Sequence, residues 1–195
     1  MAFATIDMTK GITGTIPVAN GGTGLASGTT GQFLKFTGST AIGTGEAGGG
    51  KVLQVKSSIL SSSVYTTSQT STGIINISIT PSATSSYILA MADCNYQTYG
   101  NDNTSNPYGN MEIRQGGASG TLKTSKRMYW VAVTGATNQN HDENGSVQAY
   151  WTPNTTSAIT VDLCLVNGKS TGRVGLFGNA DYTNATRLTV FEIGA

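Results

Sequence analysis

Aromatic and amide side chains crowd two stretches of this chain in a mixture suited to holding sugars. Asn95, Tyr96, Tyr99, Asn101, Asp102, Asn103 and Tyr108 fall in one stretch, and His141 and Asp142 fall in the polar run 138–144. Flat rings stack on the C–H faces of pyranoses, while planar amides and carboxylates serve their hydroxyls. Tyrosine adds contact area and loses little rotamer entropy on binding. The same rings can instead pack between subunits or fold over their own loop, and the sequence leaves both readings open.

Catalytic chemistry finds less support. His141 is the single histidine, and Asp142 and Glu143 follow it directly. Adjacent residues on a loop point in different directions, and no Ser or Cys sits in a nucleophile motif. A calcium ion on Asp142 and Glu143 would lack the spaced oxygen ligands of a dedicated loop. Of the ten Asp and Glu residues, all but Asp7 and Glu46 follow Lys51, and only Asp142 and Glu143 are close together there. Glycan cleavage by paired carboxylates is therefore disfavoured, although distant carboxylates can meet in space. The glycine clusters at Gly11–Gly14 and Gly21–Gly24 lack a following Gly-Lys-Ser/Thr and a helix, so no phosphate loop is expected. The reading is of a non-enzyme with no catalytic residue, cofactor or metal.

Composition narrows the partners. Charged residues make up 11% of the 195 residues and the net charge is +1, which gives no electrostatic footprint for nucleic acid. No apolar run approaches the roughly 20 residues that span a bilayer, so no membrane insertion is expected. The N-terminal residues show no secretory signal pattern. Cys94 and Cys164 lie in strand-like runs at no metal spacing and read as two buried thiols, with a disulfide between them as the alternative. Lys123, Lys126 and Arg127 form a basic cluster, either a solvated turn or an attraction for an anionic glycan.

The elements that must position these residues fall into two textures. Half of the 26 glycines lie in the first 50 residues, where Ile12, Ile16, Pro17, Val18 and Leu25 are sparse among Gly and Thr. Such a chain becomes ordered when further copies of itself supply the missing side of a core. Residues 1–50 therefore read as an N-terminal anchor and Gly-rich intertwined stalk. Phe3, Ile6 and Met8 at its start read as a short strand or an anchoring peg, Gln32–Phe36 as a short strand, and Glu46–Gly50 as a hinge.

Residues 51–195 read as a β head. Alternating apolar runs predict strands at 51–56, 73–80, 87–94, 111–114, 128–134, 146–151, 159–166, 173–177 and 186–193. Pro81 ends the run of Ile75, Ile77 and Ile79 because it donates no ladder hydrogen bond. Trp130, Tyr150 and Trp151 read as core or subunit-interface residues. Residues 95–110 and 135–145 read as solvent-facing loops. No helical period persists, so the fold class is all-β, an antiparallel sandwich of jelly-roll type.

The phrases Gly14-Thr-Ile-Pro-Val-Ala-Asn-Gly-Gly-Thr-Gly24 and Gly28-Thr-Thr-Gly-Gln-Phe-Leu34 resemble those of tailed-bacteriophage fibre and tail-fibre proteins. Lys51–Val55, Ile79–Leu89 and Leu188–Ala195 are similar to the distal modules of marine phage fibres. This resemblance implies a homotrimeric virion protein with a β-structured stalk and head. Such a protein is assembled in the host bacterial cytoplasm and displayed on the virion surface. It would bind other virion proteins through residues 1–50 and a host glycan, protein or outer membrane through the head. The chain departs from full-length tail fibres in having no extended shaft or large docking domain. A decoration of the capsid or collar without a strong receptor role is the alternative reading. A host-side secreted lectin and a glycan-degrading enzyme are the others.

Overall fold

A computed structural model describes residues 25, 31–38, 41–45, 50–100, 108–129, 139–178 and 185–195. Phe3, Ile6, Met8, Ile12, Ile16, Pro17 and Val18 lie outside the described residues, as do Asn101, Asp102, Asn103 and Trp130. The chain divides into two units, Met1–Gly49 and Gly50–Ala195.

In the first unit, β1 (Phe33–Gly38) pairs antiparallel with β2 (Ala41–Gly45). Phe33, Leu34 and Phe36 of this hairpin are 65%, 58% and 77% exposed. A lone two-stranded hairpin is marginal in water, and here its apolar mass is unburied.

Among the described residues the second unit holds ten strands. They are β3 (Val52–Ile59), β4 (Val64–Thr66), β5 (Thr72–Ile79), β6 (Tyr87–Gly100), β7 (Tyr108–Gln115), β8 (Thr121–Tyr129), β9 (Gln139–Trp151), β10 (Ile159–Asn167), β11 (Arg173–Leu176) and β12 (Arg187–Ile193). One sheet runs β5-β10-β7-β8; in the other β6 is central, with β9 along one side and β12–β3 followed by β11–β4 along the other. With the short β4 and β11 set aside, the eight remaining strands are ordered 1-8-3-6 and 2-7-4-5. Successive strands alternate between sheets except at the β7–β8 hairpin, which is the double Greek-key path of a jelly roll. All pairings are antiparallel, and the described residues contain no helix.

The core follows the pleat. Ile75, Ile77 and Ile79 of β5 face inward with Val161, Leu163 and Leu165 of β10 and Met111 and Ile113 of β7. Ile88, Ala90, Ala92, Cys94 and Tyr96 of β6 meet them, as do Leu188 and Val190 of β12. Burying each large side chain contributes about 1.5–3 kcal/mol of transfer free energy. Glu192 interrupts this pattern as a fully buried carboxylate. It accepts from the Ser82 N–H at 2.6 Å, the Ser82 hydroxyl at 3.1 Å and Gln54 Nε2 at 2.5 Å. Burial pushes its pKa up, but these hydrogen bonds outweigh that and hold it below the ordinary carboxylate range.

Several expectations are corrected. Residues 95–100 and 139–145 are strand, not loop: they are the second half of β6 and the first half of β9, hydrogen-bonded to each other. Their polar side chains mimic loop composition, but the ladder they build satisfies their backbone groups. Lys123, Lys126 and Arg127 belong to β8 rather than to a turn. That strand begins at Thr121, where the sequence TLKTSKRMY shows no alternation because Met128 is its single buried apolar residue. The strands β2 and β4 have no counterpart among the expected ones: β2 has one bulky residue, Ile42, and β4 is three residues long, too short to show alternation.

Candidate functional site

The outer face of the β6 sheet changes chemistry along its length. In the continuous β6–β9 register, outward residues pair as Leu89 with Tyr150 and Met91 with Gln148. They continue as Asp93 with Ser146, Asn95 with Asn144, Gln97 with Asp142 and Tyr99 with Asn140. The first part extends laterally through Phe191 to Val55, giving an apolar row Val55–Phe191–Leu89–Tyr150. Within it Val55 is 55% and Tyr150 57% exposed, and the Tyr150 ring stacks on Tyr87 at 4.9 Å. The second part is a ladder of amides, hydroxyls and carboxylates. The switch falls where β6 exchanges β12 for β11 as its neighbour. There the Asn95 carbonyl accepts from the Phe177 N–H at 2.8 Å and the Thr186 hydroxyl at 3.3 Å.

The polar half carries the candidate site. Arg173 of β11 stands opposite Tyr99, and its guanidinium carbon lies 5.1 Å from that ring and 4.4 Å from the Tyr65 ring. Tyr65 in turn meets Phe177 edge-on at 6.4 Å. Gly175 lets the Tyr65 ring lie down on the sheet, since a Cβ there would come within 2.2 Å of that ring. One strand further along, Gln97 Nε2 donates to Asp142 Oδ1 at 2.8 Å. This bond fixes the orientation of the amide, and its buried Oε1 accepts no hydrogen bond among the described residues.

Two open depressions flank this row. One, about 330 Å³, is lined by Thr67, Tyr99, Ser170, Thr171 and Arg173. The other, about 440 Å³, is lined by Asp93, Asn95, Asn144, Ser146 and Ala185. Asn167 shapes the rim of the first. Its buried side-chain amide nitrogen lies 2.6 Å from the Lys169 carbonyl, 3.1 Å from that of Gly172 and 3.3 Å from that of Thr67. Gly172 has φ +96, and a Cβ there would lie 2.1 Å from the Tyr99 carbonyl oxygen.

The residues expected to make receptor contacts are thus divided. Tyr99 and Asp142 share the outer face. Tyr96 and His141 face inward, one buried in the core and one half-buried at its margin. The Tyr96 hydroxyl donates to Glu143 Oε2 at 2.6 Å, and His141 Nε2 lies 2.8 Å from Glu143 Oε1. Burial, then the Glu143 carboxylate, pushes the Tyr96 phenol up; the Tyr96 and His141 hydrogen bonds hold Glu143 below its usual range. Tyr108 opens β7, its ring 4.3 Å from the Arg127 guanidinium carbon. Because Asp142 and Glu143 project from opposite faces of one strand, they do not converge on one ion.

Other reactive groups are committed to structural bonds. Glu112 is paired with Arg114 at 2.7 Å, and Asp162 accepts from the Gly117 N–H at 2.8 Å. Cys94 and Cys164 are free and buried. Burial, reinforced by Asp93, pushes the Cys94 thiol up to about 12. Trp151 packs against the core and donates to Gln115 Oε1 at 2.8 Å, while Tyr150 lies on the outer face. Residue type and spacing do not single out Tyr65, Gln97 and Arg173, because they lie apart along the chain and meet through strand order.

No protein-family model and no curated protein matches the chain. Among solved structures, it is similar to the infectious bursal disease virus VP2 subviral particle at 12% identity and TM-score 0.31, covering 83% of this chain and 42% of that one. The T13 particle of the same virus is similar at 13% identity and TM-score 0.33, over 83% and 39%. A structure described as "CBM4 structure and function" is similar at 10% identity and TM-score 0.27, over 57% of each. The chain spans less than half the length of the viral chains it matches, and likenesses this shallow carry no argument about its role.

Proposed function

We propose that this protein is a structural fibre of a bacteriophage virion that self-associates as a homotrimer and attaches to host-surface glycan through its β head. The observation that carries this reading is the division of one sheet face into an apolar row and a polar, aromatic half. An exposed apolar row of the kind formed by Val55, Phe191, Leu89 and Tyr150 is a surface for association with like copies. The open hairpin side chains Phe33, Leu34 and Phe36 add to the apolar surface that further copies would cover. Tyr65, Tyr99 and Asp142 offer the ring faces and planar hydrogen-bonding group that pyranoses need, with Gln97 orienting Asp142 from beneath.

Residues 1–50 dock the fibre on other virion proteins, with the head displayed at the virion surface. The head recognises its receptor without covalent chemistry, and three heads per fibre raise avidity because each further contact is intramolecular. The purified protein should bind cells of the propagating bacterium. Replacing Tyr99 and Asp142 together with Ala should reduce that binding at least about tenfold, a loss of about 1.4 kcal/mol. Undiminished binding by this variant, or none by the parent, refutes the attachment role.

A further inference from the structure

Arg173 has a geometry that ordinary surface arginines lack. Two tyrosine rings hold its guanidinium, and among the described residues no carboxylate lies within ion-pair distance and no acceptor takes its N–H groups. Stacking on aromatic faces leaves the planar edge of the fork for an acceptor from outside. That edge matches a carboxylate, which takes two parallel hydrogen bonds from it. Beside it lies the depression of about 330 Å³, whose wall presents the Thr67, Ser170 and Thr171 side chains. Its size is at the lower end of small-ligand sites, suited to one or two sugar rings.

The rest of the face limits the ligand further. Asp142 lies two strands from Arg173, about 10 Å away laterally, and Asp93 stands further along β6. These carboxylates oppose a polymer charged on every unit.

We infer that the ligand of this face is an acidic glycan in which a uronate alternates with neutral sugars, its carboxylate gripped by Arg173 between Tyr65 and Tyr99. The inference rests on the glycan-binding reading above and names the ligand class for that same face. The neutral sugars run toward the exposed Asp142, whose carboxylate serves their hydroxyls and is itself held by the buried Gln97 amide.

The test uses the intact protein and pairs of bacterial exopolysaccharide fragments, each uronate-bearing fragment beside its carboxyl-reduced neutral counterpart. In at least one pair the uronate member should bind about tenfold tighter or more. Arg173→Gln should erase that preference, so that the two members of the pair bind equally; Arg173→Lys, charged but without the fork, should restore only part of it. Unchanged unfolding midpoints identify the variants as folded. If both members of every pair bind equally and Arg173→Gln changes nothing, the acidic-ligand inference is overturned and the glycan reading stands. If no member of any pair binds, both fall.

Discussion

The Tyr96 hydroxyl donates a 2.6 Å hydrogen bond to the Glu143 carboxylate from the directly opposite position on the neighbouring strand. This pair ties the margin of the core to the first half of β9, which also presents Asp142 on the other face. It sets the pH response of this end of the sandwich. Glu143 has a lower pKa folded than its ordinary value of 4.5, so the unfolded chain binds the proton more readily. Its contribution is present above about pH 4.5 and is lost as pH falls through the folded value. The Tyr96 phenol is shifted up from 10.0, so its contribution holds below pH 10 and is lost as pH rises through the folded value. Tyr96→Phe should cost about 1 kcal/mol at neutral pH, a low figure because Glu143 is half exposed. It should also flatten both limbs of the stability profile, measured by urea unfolding across pH. A profile identical to the parent's would refute the coupling.

Glu192 should be among the costliest polar positions to truncate. Replacing it with Ala removes the acceptor of the Ser82 N–H and hydroxyl, leaves the Gln54 amide only the Thr80 carbonyl and opens a void where the buried carboxylate stood, at a cost of about 3 kcal/mol. Glu192→Gln retains an acceptor and should cost less. Denaturant midpoints of the two variants give the comparison, and equal, small losses would show that water replaces the carboxylate.

Gly172 is where backbone geometry and binding surface meet. Gly172→Ala places a methyl against the Tyr99 carbonyl and requires an L-residue at φ +96, so it should destabilise by about 2 kcal/mol. It should also reduce glycan binding by displacing Tyr99 from Arg173. Chemical-shift changes confined to residues 168–173 and Tyr99 would mark the local effect, and wild-type binding in a folded variant would dissociate this loop from the site.

Self-association should depend on the apolar row. Light scattering of the full protein should report three times the 20.1 kDa chain mass. Val55→Glu combined with Tyr150→Glu should lower that mass while leaving the unfolding midpoint at dilute concentration nearly unchanged, because both side chains are more than half exposed. A parent protein that runs as a monomer would contradict the trimer directly.

The alternation of Ile75, Ile77 and Ile79, of Met111 with Ile113, and of the run around Leu188 and Val190 determines the core strands by itself. Pro81 sets one boundary, and the change of texture near Gly50 sets the bipartite reading. Each is local, because the pleat sends successive side chains to opposite faces whatever the partner strand is. Asn95–Gly100 and Gln139–Gly145 read as loops for the opposite reason. Their polar residues carry no burial pattern, and they are strands because each supplies the other's hydrogen bonds across the β6–β9 pair. Tyr99 and Asp142 are legible as candidates by residue type. That Tyr96 turns inward to Glu143, while Tyr65, Gln97 and Arg173 join Tyr99 on one face, is decided by the order β4-β11-β6-β9. Strand order is settled by non-local pairing across the whole sandwich, and no single stretch of sequence encodes it.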